Sequence, residues 1–100
     1  MTNDEIQDYD LSTTGVIVEL TDTASHERYG VLVEATAAAD FEIEVDGGTV
    51  SGITFATESA VDRVDARFDA PEAVDIRVKN TSTTAAGETA DAILGSGGRG

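Results

Sequence analysis

The sequence predicts an all-β fold of about seven antiparallel strands, arranged as a sandwich or a small jelly roll. Three observations carry this. Apolar and polar residues alternate through most of the chain between residues 15 and 94, which is the period of a strand with one face buried. Turn-forming residues, among them Asp46-Gly47-Gly48 and Pro71, interrupt the alternation at short and fairly even spacing. No stretch carries a convincing helical period.

Residues 1–14 are polar and read as an N-terminal arm, ordered only where something packs on it; Ile6 and Tyr9 are the residues that could be buried. The first strand is GVIVELTDT, with Val16, Val18 and Leu20 inward and Ile17, Glu19 and Thr21 outward. A loop over Thr21 to Glu27 leads to a second strand, Tyr29 to Thr36, with Val31, Val33 and Ala35 inward and Leu32 outward beside Ile17. Ala37 to Asp40 is a connector. FEIEVD follows, with Phe41, Ile43 and Val45 facing the core and Glu42, Glu44 and Asp46 facing water.

Asp46-Gly47-Gly48 supplies a tight turn, because glycine reaches positive φ without steric cost. Thr49 to Ala56 returns as the partner strand, with Ile53 and Phe55 inward and Gly52 marking a bulge. Thr57 to Ala60 is a loop, and Val61 is out of phase with Val64, which predicts an irregularity near Asp62. Val64, Ala66 and Phe68 then alternate with Asp65, Arg67 and Asp69. Beyond Pro71, Val74, Ile76 and Val78 alternate with Asp75, Arg77 and Lys79. These two runs predict a hairpin bent at Pro71, which cannot donate to a ladder. Asn80 to Gly87 is a loop, Glu88 to Leu94 is the last strand, and residues 95–100 form a Gly-rich tail. The expected organisation is an arm at 1–14, one β domain at 15–94 and the tail. Periodicity does not distinguish an immunoglobulin-like strand order from a jelly roll.

The chain has 100 residues, 20 acidic against 6 basic, and a net charge of −14. Five of the six cations are arginine, Lys79 is the single lysine, and there is no cysteine. That excludes a disulfide framework and a thiolate metal site. Four of the cations fall between Arg63 and Lys79, but Asp62, Asp65, Asp69 and Asp75 are interleaved with them. This is a mixed-sign surface and not the basic patch that nucleic acid requires, so no nucleic-acid partner is expected. No apolar stretch approaches the length of a membrane span, and MTNDEIQDYDLSTTG has neither the basic region nor the apolar run of a secretory leader.

Candidate sites are few. His26 could act as a general base with Ser25 or Asp22, but a serine adjacent in sequence rarely reaches nucleophile geometry, so an exposed loop histidine is the stronger reading. Glu42 and Glu44 share a strand face, the pairing of carboxylates that a glycosidase uses in a cleft. Without an aromatic cleft they read as a solvated acidic face, and they would form cross-strand ion pairs if the Arg67 or Arg77 strand lies beside them. Asp4, Asp8, Asp10 and Asp46 are candidate ligands for a hard cation, but the EF-hand spacing is absent. Asn80-Thr81-Ser82 matches the glycosylation acceptor. The expected inventory is no catalytic residue, no cofactor and no metal.

The segment Val74 to Ser82, followed by Ala86-Gly87-Glu88-Thr89-Ala90, resembles the penultimate strand, loop and last strand of small sandwich domains found in surface-layer modules and in viral accessory proteins. High Asp and Glu, almost no Lys, and 14 Ala, 13 Thr and 10 Val in place of larger aliphatics resemble haloarchaeal proteins. Molar salt screens such a surface over a few ångströms. Taken over its whole length, the chain is similar to a small structural protein of a haloarchaeal virus. That resemblance rests on composition and strand style, so no functional residue carries over. It implies a non-enzymatic virion component (capsid, decoration, tail or spike base) made in the cytoplasm and contacting copies of itself or other virion proteins. A soluble binding module of a halophilic cell is the alternative.

Overall fold

The structure is a computed structural model that describes residues 3–21, 23, 27–47, 50–70, 74–82 and 86–96. Among these it is all-β and antiparallel, with β1 (Asn3–Asp10), β2 (Gly15–Leu20), β3 (Glu27–Gly47), β4 (Val50–Ala70), β5 (Asp75–Asn80) and β6 (Thr89–Ser96). No helix among them is long and apolar enough to cross a membrane.

The pairing is nested along the chain. Asn3 lies opposite Gly95, Leu20 opposite Ile76, Glu34 opposite Arg63 and Val45 opposite Ile53. The chain is therefore one antiparallel ribbon, doubled back between Gly47 and Val50. β3 and β4 are each 21 residues long. At roughly 3.3 Å per residue such a strand would span about 70 Å, yet the longest dimension of the molecule is 38 Å. The ribbon must bend, and it does so where the β3–β4 register breaks, between Glu34 and Phe41.

The bend lets β3 pair twice on its second edge. Its first half, Tyr29 to Ala35, pairs with β6, and its second half, Phe41 to Asp46, pairs with β5. Two four-stranded sheets result, β1-β6-β3-β4 and β2-β5-β3-β4, with β3 and β4 each contributing one half to each sheet. A folded ribbon that deals its strands in this order is a jelly roll. β1 and β2 stand at opposite ends of the hydrogen-bonded path, and Glu19 N donates to Asp4 Oδ2 at 2.9 Å across the gap between them.

The core lies between the sheets. Tyr29, Val31, Val33, Val64, Ala90, Ala92 and Leu94 bury from one side, and Val18, Leu20, Phe41, Ile43, Val74, Ile76 and Val78 from the other. At about 25 cal/mol per Å² of apolar area, these contacts are the main favourable term. Tyr29 and Phe68 pack with ring centroids 6.5 Å apart.

Several expectations change. The strands expected at 29–36 and 41–46 are one strand, as are those at 49–56 and 64–69, so Ala37 to Asp40 and Thr57 to Ala60 are ribbon and not loops. The number of strands falls accordingly, and β1 adds one where an arm was expected: β6 offers its free edge, and residues 3–10 pair along it. β6 also extends to Ser96, taking Gly95 and Ser96 out of the expected tail; residues 97–100 lie outside the described residues.

The hairpin expected at Pro71 does not form. β4 pairs with β3, whereas β5 lies between β2 and β3 in the other sheet, so the chain crosses between sheets after Ala70. Pro71 itself lies outside the described residues. In β2 the faces are reversed at the start: Val16 is 44% exposed and Ile17 is buried. Val16 opposes Lys79 and Val18 opposes Val78, so Ile17 is an extra bulge residue that turns inward beside Val18.

The irregularity expected near Asp62 is present, since one β4 residue there faces four on β3. At this corner Ala60 has φ 56, and its N–H donates to Asp40 Oδ1 at 2.8 Å. Asp40 also binds beyond β5: its N–H donates to Ser82 Oγ at 3.0 Å and its carbonyl accepts from Thr81 N at 2.9 Å. One aspartate thus fastens the bend of the ribbon to the end of β5.

Candidate functional site

Two surfaces concentrate the polar chemistry, one on the outer face of each sheet. The first is centred on Arg77. β5 alternates, so Ile76 and Val78 point into the core and Asp75, Arg77 and Lys79 point out. The register sets Arg77 directly opposite Glu19 on β2 and Glu44 on β3. Arg77 Nε donates to Glu19 Oε2 at 2.8 Å and Nη1 to Glu44 Oε1 at 3.0 Å. Asp46 and Asp75 stand 3.6 and 3.5 Å from the same guanidinium, and Lys79 Nζ is 3.2 Å from Glu44.

The fork of the guanidinium serves several carboxylates at once, which an ammonium could not do. Its hydrogen bond to Glu44 is the largest influence raising the Arg77 pKa; burial opposes it, and Glu19 adds to it. Arg77 is therefore charged at every accessible pH. Four carboxylates around two cations leave the patch net negative. Each of these carboxylates lies within ion-pair distance of Arg77.

The second surface lies on the outer face of the β1-β6-β3-β4 sheet. Gly30 opposes Gly95 on one side and Arg67 on the other, and Asn3 opposes Gly95. The two glycines open a shallow groove of about 410 Å³, bordered by Asn3, Leu32, Arg67 and Ile93. A methyl at Gly30 would meet Arg67 Cγ at 3.8 Å, ordinary contact, so the arginine stem lies across the glycine. Leu32 and Ile93 are cross-strand neighbours, and Ile93 is 38% exposed. Arg28 pairs with Asp69 at 3.1 Å and Arg63 pairs with Glu34. Among the described residues, Arg67 is the cation that has no ion pair.

The candidate residues read from the sequence are dispersed. His26, Ser25 and Asp22 lie outside the described residues. Glu42 and Glu44 flank the Arg77 strand, as the ion-pair reading requires, with Glu44 opposite Arg77 and Glu42 opposite Lys79. The four aspartates considered for a cation do not converge. Asp4 bridges to β2, and Asp46 belongs to the Arg77 cluster. Asp8 occupies a bulge at φ 57, with its N–H bound to Asp91 Oδ1 at 2.9 Å. Asp10 accepts from Ser12 N and Oγ at 2.9 and 2.7 Å, and those bonds, the side-chain one first, lower its pKa. Among the described residues no group of three or more His, Cys, Asp or Glu is arranged to hold a metal.

Asn80 is 1% exposed. Its Nδ2 donates to Thr13 O at 2.7 Å and to Leu11 O at 3.3 Å, and its Oδ1 accepts from Ser82 N. The nitrogen that would carry a glycan is thus enclosed and occupied in the folded chain. Nothing in the acceptor tripeptide foretells this, because burial follows from β5 ending under the β1–β2 turn. The unpaired state of Arg67 was equally hidden, since it depends on which strands neighbour β4.

Compared with known proteins, the chain matches no family model and no curated sequence.

Proposed function

We propose that this protein is a non-enzymatic structural component that works by associating with copies of itself or with other coat proteins, as a capsid, decoration, tail or spike-base protein of a haloarchaeal virus. The observation that carries the reading is the jelly-roll pairing of the ribbon, an architecture that viral coat proteins share with lectins and cupins. The step from fold to role is an analogy of architecture. Composition supplies the second support. Twenty acidic residues against six basic ones suit a protein that stays compact and soluble in molar salt.

Size exclusion with light scattering in about 3 M KCl, a strongly screened medium, tests the reading. A defined oligomer or particle is expected. A monodisperse monomer at high protein concentration would remove the assembly role.

The groove beside Gly30 favours a second reading, a binding module for a small anionic ligand that engages Arg67. Aromatic platforms for sugar do not support it: among the described residues Tyr29 and Phe41 are buried, while Tyr9 and Phe68 are half-buried. A rise in melting temperature with added ligand that Arg67→Ala abolishes would favour this reading over assembly.

A further inference from the structure

We infer that residues 62–70 of β4 pair antiparallel with the same residues of a second copy, about a two-fold axis at Ala66. This rests on the assembly reading above and names its contact.

The first ground is the edge. β4 is hydrogen-bonded to β3 along one side, and among the described residues no strand pairs with its other side. An edge strand carries backbone donors and acceptors that another strand can meet. The β1 edge is guarded. β1 carries Asp4, Glu5, Asp8 and Asp10 with no cation, so a second β1 would be repelled, and the Asp4 carboxylate already bridges β1 to β2.

The second ground is the charge order. The outer face of this half of β4 reads Arg63, Asp65, Arg67, Asp69. About Ala66 that order is antisymmetric. Antiparallel self-pairing sets Arg67 opposite the second copy's Asp65, Asp65 opposite its Arg67, and Arg63 opposite its Asp69. Directly opposed unlike charges stabilise a sheet pair, whereas like charges destabilise it. Of these four side chains, Asp65 and Arg67, the pair next to the axis, are the two that form no ion pair among the described residues. In a protein with 20 acidic residues, an arginine without a carboxylate partner among the described residues is unusual, and this contact gives Arg67 one, the Asp65 of the second copy.

The third ground is apolar and geometric. On the inner face, Val64 would oppose Phe68, and the half-buried Phe68 and Ala66 gain cover from the same residues of the copy. The irregularity at Val61 and the left-handed Ala60 end the regular run on one side, and β4 ends at Ala70 on the other. The paired stretch is therefore short and defined. A two-fold contact of this kind is isologous and closed, and it joins two four-stranded sheets into one of eight.

The test is sedimentation equilibrium at the lowest salt in which circular dichroism shows a folded chain. Arg67→Asp sets two like-charged pairs at the axis and is expected to weaken the dimer about ten-fold or more. The double variant Asp65→Arg/Arg67→Asp restores the antisymmetric order and is expected to restore the dimer. Both positions are exposed, so folding is preserved. As a second measurement, Ala66→Cys, in a chain without cysteine, is expected to give a disulfide-linked dimer on mild oxidation, because opposed Cα atoms of an antiparallel pair fall within disulfide range. Thr57→Cys, away from the axis, is expected to cross-link far less. An oligomer that ignores the charge exchange and shows no preference for position 66 overturns this contact and leaves the assembly role standing. A monomer throughout overturns both.

Discussion

Single residues hold this fold at its corners, and Asn80 is the clearest case. A buried amide that binds two carbonyls of the β1–β2 turn fixes the entry to β2 against the end of β5. Asn80→Ala takes the amide donor from Leu11 O, leaves Thr13 O with the Tyr9 hydroxyl, and opens a small cavity. It should cost about 2–3 kcal/mol, read as a lower denaturation midpoint in salt. Asn80→Asp keeps the volume but replaces the donor with an acceptor facing two carbonyls, and should be at least as damaging. Ala60 presents the reverse case. An alanine at φ 56 is strained, and its side chain is exposed, so nothing is lost from the core on truncation. Ala60→Gly should stabilise by up to about 1 kcal/mol, a rise in melting temperature of roughly 4–8 °C for a chain of this size. An unchanged or lower melting temperature would show that the corner is not strained.

Elements were legible in the sequence where their faces alternate, and illegible where they change partner. Phe41, Ile43, Ile76, Val78, Ala90 and Leu94 are buried as their periodicity predicts. Periodicity reports faces and not neighbours, however. Val64 to Phe68 and Val74 to Val78 look like a hairpin because they are close in sequence, yet the chain passes from one sheet to the other between them. The Ala37–Asp40 stretch looked like a connector because Ala37, Ala38 and Ala39 are small and apolar on both faces. Those same properties let β3 bend there without ending. β1 was missed because Ile6 and Tyr9 bury little by themselves, and its order comes from the edge of β6. Of the candidate site, the pairing of Glu44 with Arg77 was readable as a conditional, since either arginine-bearing strand would have supplied it. Only the register identifies Arg77. Replacing Arg77 by Leu leaves Glu19, Glu44, Asp46 and Asp75 together with one lysine to balance them. The chain should be destabilised in dilute buffer, and less so in molar salt, where the carboxylates are screened from one another. Chemical denaturation with urea at two salt concentrations measures it. An equal loss at both would mean that the arginine acts through packing alone.

At the scale of the whole molecule, a net charge of −14 on 100 residues works against compactness, and a core built from Val, Ala and Ile gives limited compensation. The fold answers by pairing the inner strands of its ribbon on both sides. β3, β5 and β6 each lie between two strands, and the gap between β1 and β2 is bridged by Asp4. Among the described residues β4 is the element left open along its length, and it is the strand by which we propose that chains join. Amide hydrogen exchange in about 3 M KCl, where surface charge is screened, at low and high protein concentration tests this most directly. The amides of β5 should be protected at both concentrations, because both of its neighbours are within the chain. Alternate amides of residues 62–70 should exchange freely in the dilute sample and become protected in the concentrated one. Protection of that stretch at both concentrations, or its absence in a sample that light scattering shows to be assembled, would contradict the account.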